Sequence, residues 1–384
     1  MLTEQLIFWV AAMLLVYTYA GYPLILYWWA RHQPQSYQQR SDHEPTVSIL
    51  VVACNEEANV RGRLDNFLAL DYPTYQVEII IGSDGSTDGT VSRANRYVKA
   101  GVRVVEFSRR RGKPAVLNDL VPLAAGTIIV FADMRQRFHP SALRELVAPF
   151  VDSRIGGVSG ELMLTDPHKR SATGEGVGFY WKYEKFIRRH EALIDSTVGV
   201  TGAIYAIRRT LFRPIPVDTI IDDVLIPMQV VRQGFRVIYQ PDARASDDMN
   251  ISAAREFKRK IRTIAGNFQL LIREPWLLNP VTNRLWFQTI SHKYCRLLSP
   301  LCLVLVLVAN VLLLPSPLYM PLLVLQIVFY SAAFAGYLSE RFARKTRLIN
   351  VPYTFCLLNW ATVVAFFRFM SGRQAVTWDK APTE

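Results

Sequence analysis

The pattern of hydrophobic and polar positions divides the chain into three stretches. Leu6 to Trp29 runs for 24 residues without a charged side chain, long enough to cross a hydrocarbon core that needs about 20 residues. Tyr27, Trp28 and Trp29 gather at its far end, as aromatic side chains do at a membrane interface. The run is too long for a cleaved secretory signal, lacks a basic start and shows no small-residue cleavage site. Arg31 and Arg40 follow it, which by the charge rule places the next stretch on the cytoplasmic side.

From residue 45 to 250 the pattern changes to short apolar runs alternating with helical spacing. Val47 to Ala53, Glu78 to Gly82, Val102 to Phe107 and Thr127 to Ala132 predict strands; 59–70, 87–100 and 113–125 predict helices. The runs are continuously apolar, as in strands buried on both faces. Strand and helix alternate across short loops, so the α/β class with a mostly parallel sheet and right-handed crossovers is expected.

Beyond Gly266 the chain turns amphipathic, which suits helices lying in an interface. Leu297 to Leu314 is then apolar for 18 residues and Leu318 to Leu338 for 21, with Pro315-Ser316-Pro317 breaking them into a hairpin. The cations between Glu340 and Arg347 bring the chain back to the cytoplasm. Ile349 to Phe367 is apolar again, yet Arg368 and Arg373 lie just past it. The segment either crosses against the charge rule or stays in the interface, and the pattern alone leaves both open. The expected organisation is a transmembrane helix over 1–30, a cytoplasmic domain over 45–250, interfacial helices over 251–295, a membrane region over 296–370 and a tail over 371–384.

Composition narrows the partners. The chain has 384 residues, is 51% hydrophobic and carries a net charge of +12. Its cations fall in short clusters such as Arg109 to Arg111, which suits an anionic membrane surface and a phosphate-bearing small ligand, not a nucleic-acid groove. Cys54, Cys295, Cys302 and Cys356 have no metal spacing, and the six His are scattered, so no zinc or heme site is suggested. Neither a phosphate-loop motif nor Gly-x-Gly-x-x-Gly occurs. ATPase and dinucleotide-oxidoreductase chemistry are therefore disfavoured.

Candidate chemistry sits at the carboxyl ends of the expected strands, where open α/β sheets place ligands. Asn55-Glu56 follows the first strand, Asp84-Gly85-Ser86 the second and Asp133 the fourth. Asp133 lies too early to cap the helix expected near Pro140. An Asp-Gly turn is the bland alternative for Asp84, and helix capping is the bland alternative for Asp222-Asp223.

Together these residues resemble the inverting, membrane-bound glycosyltransferases of family 2, the group of cellulose, hyaluronan and poly-N-acetylglucosamine synthases. Asn55-Glu56 and Asp84-Gly-Ser are similar to the uridine-contacting positions of that family. Gly112-Lys113 with Leu117-Asn118 resembles its lysine motif near the diphosphate, and Asp133 the first acid of its Asp-x-Asp metal motif. Thr201-Gly202-Ala203 resembles the loop facing the acceptor, and Ile221-Asp222-Asp223 the motif whose last acid is the catalytic base. Arg259-Lys-Ile-Arg262-Thr263 resembles the Gln-x-x-Arg-Trp motif on the helix that closes over the nucleotide. Two positions depart: Arg135 replaces the second acid of Asp-x-Asp, and Thr263 replaces the Trp that stacks on the acceptor in processive synthases.

The resemblance implies a Rossmann-like GT-A domain in a multi-pass, bacterial-type inner-membrane protein, with the catalytic domain cytoplasmic. It implies a UDP-sugar donor, a glycan or lipid-linked acceptor and membrane lipids as partners. Asp223 would be the general base, with Asp222 the weaker candidate; Asn55, Glu56, Asp84, Lys113, Asp133, Arg259 and Arg262 would hold the nucleotide sugar. Thr201, Gly202 and Thr263 would face the acceptor. Asp133 would bind magnesium or manganese, either as a single carboxylate beside the diphosphate oxygens or with Arg135 taking over part of the charge. Transfer to a polyprenyl phosphate, which needs no base, and a degenerate nucleotide-sugar-binding subunit of an export complex are the alternatives.

Overall fold

The computed structural model describes residues 1–165, 172–248, 253–342 and 347–375. The part of the expected tail over 376–384, and the basic residues at 343–346, lie outside the described residues. Two helices open the chain, α1 (Leu2–Val16) and α2 (Tyr22–His32), joined through one wide π turn at Tyr17–Gly21. They are followed by β1 (Val47–Ala53), α3 (Glu57–Leu68), β2 (Val77–Asp84), α4 (Thr90–Asn95), β3 (Val102–Phe107), α5 (Lys113–Leu120) and β4 (Ile128–Ala132). Next come β5 (Arg137–Phe138), α6 (Ala142–Val147), β6 (Ile155–Thr165), α7 (Ala172–Ile194), β7 (Ile204–Arg208), α8 (Asp222–Arg232) and β8 (Arg236–Asp248). The chain closes with α9 (Ala253–Arg273), α10 (Trp286–Thr289), α11 (Cys295–Leu312), α12 (Tyr319–Phe342) and α13 (Arg347–Met370).

The eight strands form one sheet in the order β3-β2-β1-β4-β7-β6-β8-β5. β3, β2, β1 and β4 are mutually parallel; β7 runs antiparallel to β4 and to β6, β8 is parallel to β6, and β5 is antiparallel to β8. Alternate side chains of each central strand enter opposite layers, so Ile49, Val51, Ile128 and Val130 meet α3 and α6 on one face. Leu50, Ile80, Ile129 and Phe131 meet α5 and α8 on the other. Each such side chain, fully withdrawn from water, stabilises the fold by roughly 1.5–3 kcal/mol. Because β1 is flanked by β2 on one side and β4 on the other, the carboxyl ends of these strands open a crevice. Glu56, Asp84 and Asp133 all stand there.

The four parallel strands lie within one or two residues of their expected positions. The helix expected over 87–100 is shorter: α4 stops at Asn95, a single turn follows, and the chain reverses at Gly101 with φ 87°. α5 likewise ends at Leu120, where Pro122 leads into a tight turn. α9 passes through Gly266 without a break; a β-carbon there would lie 2.6 Å from Ile221, so the glycine lets the helix seat directly on the segment that leads into α8.

Four segments are long and apolar enough to cross a membrane: Leu2–His32, Trp286–Leu312, Tyr319–Leu338 and Ile349–Met370. The first two run antiparallel, since Phe8 packs on Ala309 and Leu313 while Tyr17 shares a hydrogen bond of 2.6 Å with Ser291. Their outer faces expose Leu6, Val10, Met13, Leu301, Val304 and Val308, an apolar surface that water does not favour. Inward, the Tyr22 hydroxyl donates to Glu191 on α7 at 2.7 Å, in a setting closed to solvent. α13 behaves differently from its hydropathy. Ala361 and Ala365 pack on Ile261 and Ala265 of α9, and Arg368 and Arg373 line the same cavity as the crevice acids.

Candidate active site

The turn after β1 holds Asn55 at φ 53°, a region Asn tolerates better than most residues. Its side-chain oxygen accepts the Thr87 N–H at 2.8 Å, and its own N–H donates to Ser86 Oγ at 3.1 Å. Asn55 therefore ties the turn after β1 to the turn after β2. Glu56, the next residue, faces the crevice.

Asp84 ends β2 and is buried. Its two oxygens accept the backbone N–H groups of Arg111, at 2.6 Å, and Gly112, at 2.8 Å. Gly112 adopts φ 92° and ψ 153°, a conformation closed to side chains. Carboxylate and glycine together aim the chain into α5, whose first residue is Lys113.

The Lys113 ammonium lies 3.0 Å from Asp133 Oδ1 and 3.3 Å from Asp222 Oδ2. Burial works against its charge, but Asp133, Asp222 and Asp223 outweigh that penalty and hold the ammonium above its ordinary range. Asp223 has the opposite environment. Burial, then repulsion from Asp222, pushes its carboxyl up to about 6, against the opposing pull of Lys113, Arg188 and Lys293. A carboxylate so placed can take a proton near neutral pH. The N-cap position of α8 belongs to Ile221, so neither acid caps the helix through its side chain.

Three further segments close the space around Asp223. The Val200 N–H donates to the Asp223 carbonyl at 2.9 Å. Thr201 is fixed by its N–H to Ser159 Oγ, at 2.9 Å, and by Arg188, whose Nη1 donates to the threonine hydroxyl at 3.3 Å. From α9, Arg259, Arg262 and Thr263 face inward. Burial lowers the guanidinium pKa of Arg262, opposed by Asp222, Asp223 and Asp133. The Thr263 hydroxyl donates back to the Arg259 carbonyl at 3.1 Å, so it offers the space little beyond a methyl group.

These side chains line one cavity of about 1010 Å³. It gathers every expected site residue except Asn55, whose part is to shape the turn. Arg135 is on the wall but its Nη2 donates at 2.6 Å to Asp247, a buried acid on β8 that also accepts from Gln136. The guanidinium, which the sequence left as one of two ways to meet the diphosphate charge, is thus engaged in joining the turn after β4 to β8.

The sequence pattern also passed over a group at the far end of the cavity: Glu184 and Arg188 from α7, and Lys293 and Arg296 ahead of and within α11. Glu184, Arg188 and Glu191 recur at helical spacing along an otherwise buried stripe of α7, which is the signal that could have found them. From the same helix Tyr180, Trp181 and Tyr183 also line the cavity.

Among the described residues no three His, Cys, Asp or Glu side chains gather to hold a metal ion. Asp133 presents a carboxylate to the crevice, 43% exposed. One or two carboxylates with substrate phosphates are how magnesium is commonly held, so the residues fit an ion that arrives with a diphosphate.

Comparison with known proteins agrees with this geometry. Residues 48–215 match the family described as glycosyl transferase family 2. A poly-β-1,6-N-acetyl-D-glucosamine synthase of Staphylococcus epidermidis is 22% identical over 262 residues, covering 66% of this chain and 63% of that protein. A β-monoglucosyldiacylglycerol synthase of Nostoc is 34% identical over 131 residues, covering 33% of this chain and 28% of that one. The chain thus spans less than two thirds of these relatives. Among solved structures, a mannosyltransferase from Pyrobaculum calidifontis in complex with GDP-Man and Mn2+ superposes with a TM-score of 0.71 at 22% identity, covering 96% of this chain and 99% of that one.

Proposed function

Since residues 48–215 form a glycosyl transferase family 2 domain, we propose that the protein transfers a sugar from a nucleotide sugar to an acceptor hydroxyl, with inversion, using Asp223 as general base. The observation that carries this reading is the pair of contrasting environments at the start of α8. Lys113 pairs with both Asp133 and Asp222 as a fixed electrostatic frame, while Asp223 stands beside them with its pKa raised to about 6. The acceptor O–H gives its proton to Asp223 as its oxygen bonds the anomeric carbon; the bond from that carbon to phosphate breaks, and the nucleoside diphosphate leaves. Lys113, Arg259 and Arg262 stabilise the negative charge that grows on the leaving group. A divalent ion carried on Asp133 would add Lewis-acid stabilisation at the same oxygens. With one carboxylate free to act and the others held by Lys113, a single displacement follows, and an α-linked donor yields a β-linked product.

The donor we propose is a UDP-sugar, as the resemblance of Asn55-Glu56 and Asp84-Gly85-Ser86 to uridine-contacting positions implies. The location we propose is a membrane crossed three times, by α1 with α2, by α10 with α11 and by α12. Both ends of α13 then stay on the cytoplasmic side, which brings Arg368 and Arg373 into accord with the charge rule. Purified full-length protein incubated with a panel of UDP- and GDP-sugars should release nucleoside diphosphate, and NMR of the product should show the inverted anomer. Absence of turnover across the panel, or a retained anomer, would overturn the reading.

A further inference from the structure

The cavity does not end at Asp223. Beyond the catalytic carboxylates its wall passes to Arg188 on α7, to Lys293, and to Arg296 on α11. These three cations share one wall carboxylate, Glu184. Its oxygens lie 3.3 Å from Arg188 Nε, 3.7 Å from Lys293 Nζ and 3.0 Å from Arg296 Nη1. His292 presses on the same acid at 3.1 Å through Nε2, and on Glu191 at 2.8 Å through Nδ1. Glu191, set behind the wall, is further taken up by Tyr22. Across the space stands Asp223, one negative charge close to Arg188. Three cations, Arg188, Lys293 and Arg296, thus share this part of the wall with two carboxylates, Glu184 and Asp223. Nε and Nη2 of Arg296 have no hydrogen-bond partner among the described residues.

Past the cations the lining turns apolar. Leu297 of α11 and Val351, Phe355 and Leu358 of α13 supply the apolar side chains, with Thr354, Asn359 and Thr362 between and beyond them and Tyr19 from the π turn opposite. Leu298 and Leu301, next along α11, are exposed. The space is polar and acidic at the reaction centre, cationic beside it and apolar where it meets the lipid-facing helices. A basic pocket between such helices is the setting in which lipid head-group phosphates are held, and guanidinium groups pair phosphate oxygens in a bidentate way.

From this succession we infer that the acceptor is an amphiphile that reaches the site from the membrane and carries a phosphate close to the hydroxyl that is glycosylated. The phosphate rests between Arg188, Lys293 and Arg296, the hydroxyl reaches Asp223, and the tail leaves between α11 and α13. This presupposes the glycosyl-transfer reading above and adds the class of the acceptor to it. The phosphate is a handle and not the nucleophile, since the base and the cations stand on different parts of the wall.

Calorimetric titration of the full-length protein in neutral detergent tests it with three probes: dihexanoyl phosphatidate, dihexanoylglycerol and inorganic phosphate. The phosphatidate is expected to bind at least tenfold more tightly than either of the others. Arg296→Gln and Lys293→Gln are expected to remove most of that preference, and Leu358→Trp, which fills the apolar end, to weaken the phosphatidate without strengthening phosphate. Thermal unfolding of each variant distinguishes lost binding from lost folding. Equal affinity for phosphatidate and dihexanoylglycerol, inorganic phosphate binding as tightly as the lipid, or folded variants with unchanged preference would each overturn the inference. UDP and GDP titrated into the same preparation report separately on the transferase reading. If neither nucleotide binds, that reading fails first; if one binds while the lipid preference is absent, only the acceptor class is wrong.

Discussion

Gly202 stands directly against Asp223: a β-carbon at position 202 would lie 3.3 Å from both Cβ and Oδ2 of the acid. That is closer than side chains usually approach, so Gly202→Ala must push the carboxylate aside. Displacement of a reacting group by a fraction of an ångström is expected to lower kcat by roughly tenfold, up to about a hundredfold for a full ångström, with nucleotide affinity retained. Steady-state kinetics beside a nucleotide titration would show it, and an alanine variant of normal kcat would place the base elsewhere.

Replacing Asp223 by Asn removes the proton acceptor while keeping the shape. A loss of about 10²–10⁴ in kcat is expected. In the unmodified protein the base works only when ionised. Its pKa is raised to about 6, so kcat/KM should be at its plateau above that value and fall by about tenfold per pH unit below it. A profile flat from pH 5 to 8 would contradict the assignment.

Lys113→Met leaves Asp133 and Asp222 facing each other without the ammonium that lies between them. Breaking a fully buried pair costs about 3–5 kcal/mol; with Asp133 partly in solvent, a loss of ~2 kcal/mol in denaturant unfolding is the expectation here. Donor affinity should fall as well. Unfolding at the unmodified midpoint would show the contacts to be incidental.

In Asp84→Asn, one of the two backbone N–H groups now received by the carboxylate would confront an amide NH2. An unsatisfied buried donor costs about 1–3 kcal/mol. Because the contact fixes the loop that delivers Lys113, KM for the nucleotide sugar is expected to rise more than kcat falls. The reverse ratio would mean that Asp84 acts on the reacting centre itself.

How much of this could be read along the chain depends on the range of the interactions involved. The parallel half of the sheet was legible because Val47–Ala53 and Ile128–Ala132 are buried on both faces and so are continuously apolar. β6 and β8 were not; their glycines and charged residues hide strands whose partners lie far away in sequence. The acids were legible because they occupy strand ends. Their couplings were not: Lys113 meets Asp133 across 20 positions and Arg135 meets Asp247 across 112. α13 shows the limit of hydropathy, since Ala361 and Ala365 are small to admit α9, a reason that composition does not separate from contact with lipid.

The bond from Tyr22 to Glu191 has a practical corollary. Helix α2 supplies the proton donor for an acid with no access to water, and His292 shares that acid from the other side. An expression fragment trimmed to start at β1 would take one hydrogen bond from an acid buried in the interior, so the first helices and the sheet domain are best purified as one unit.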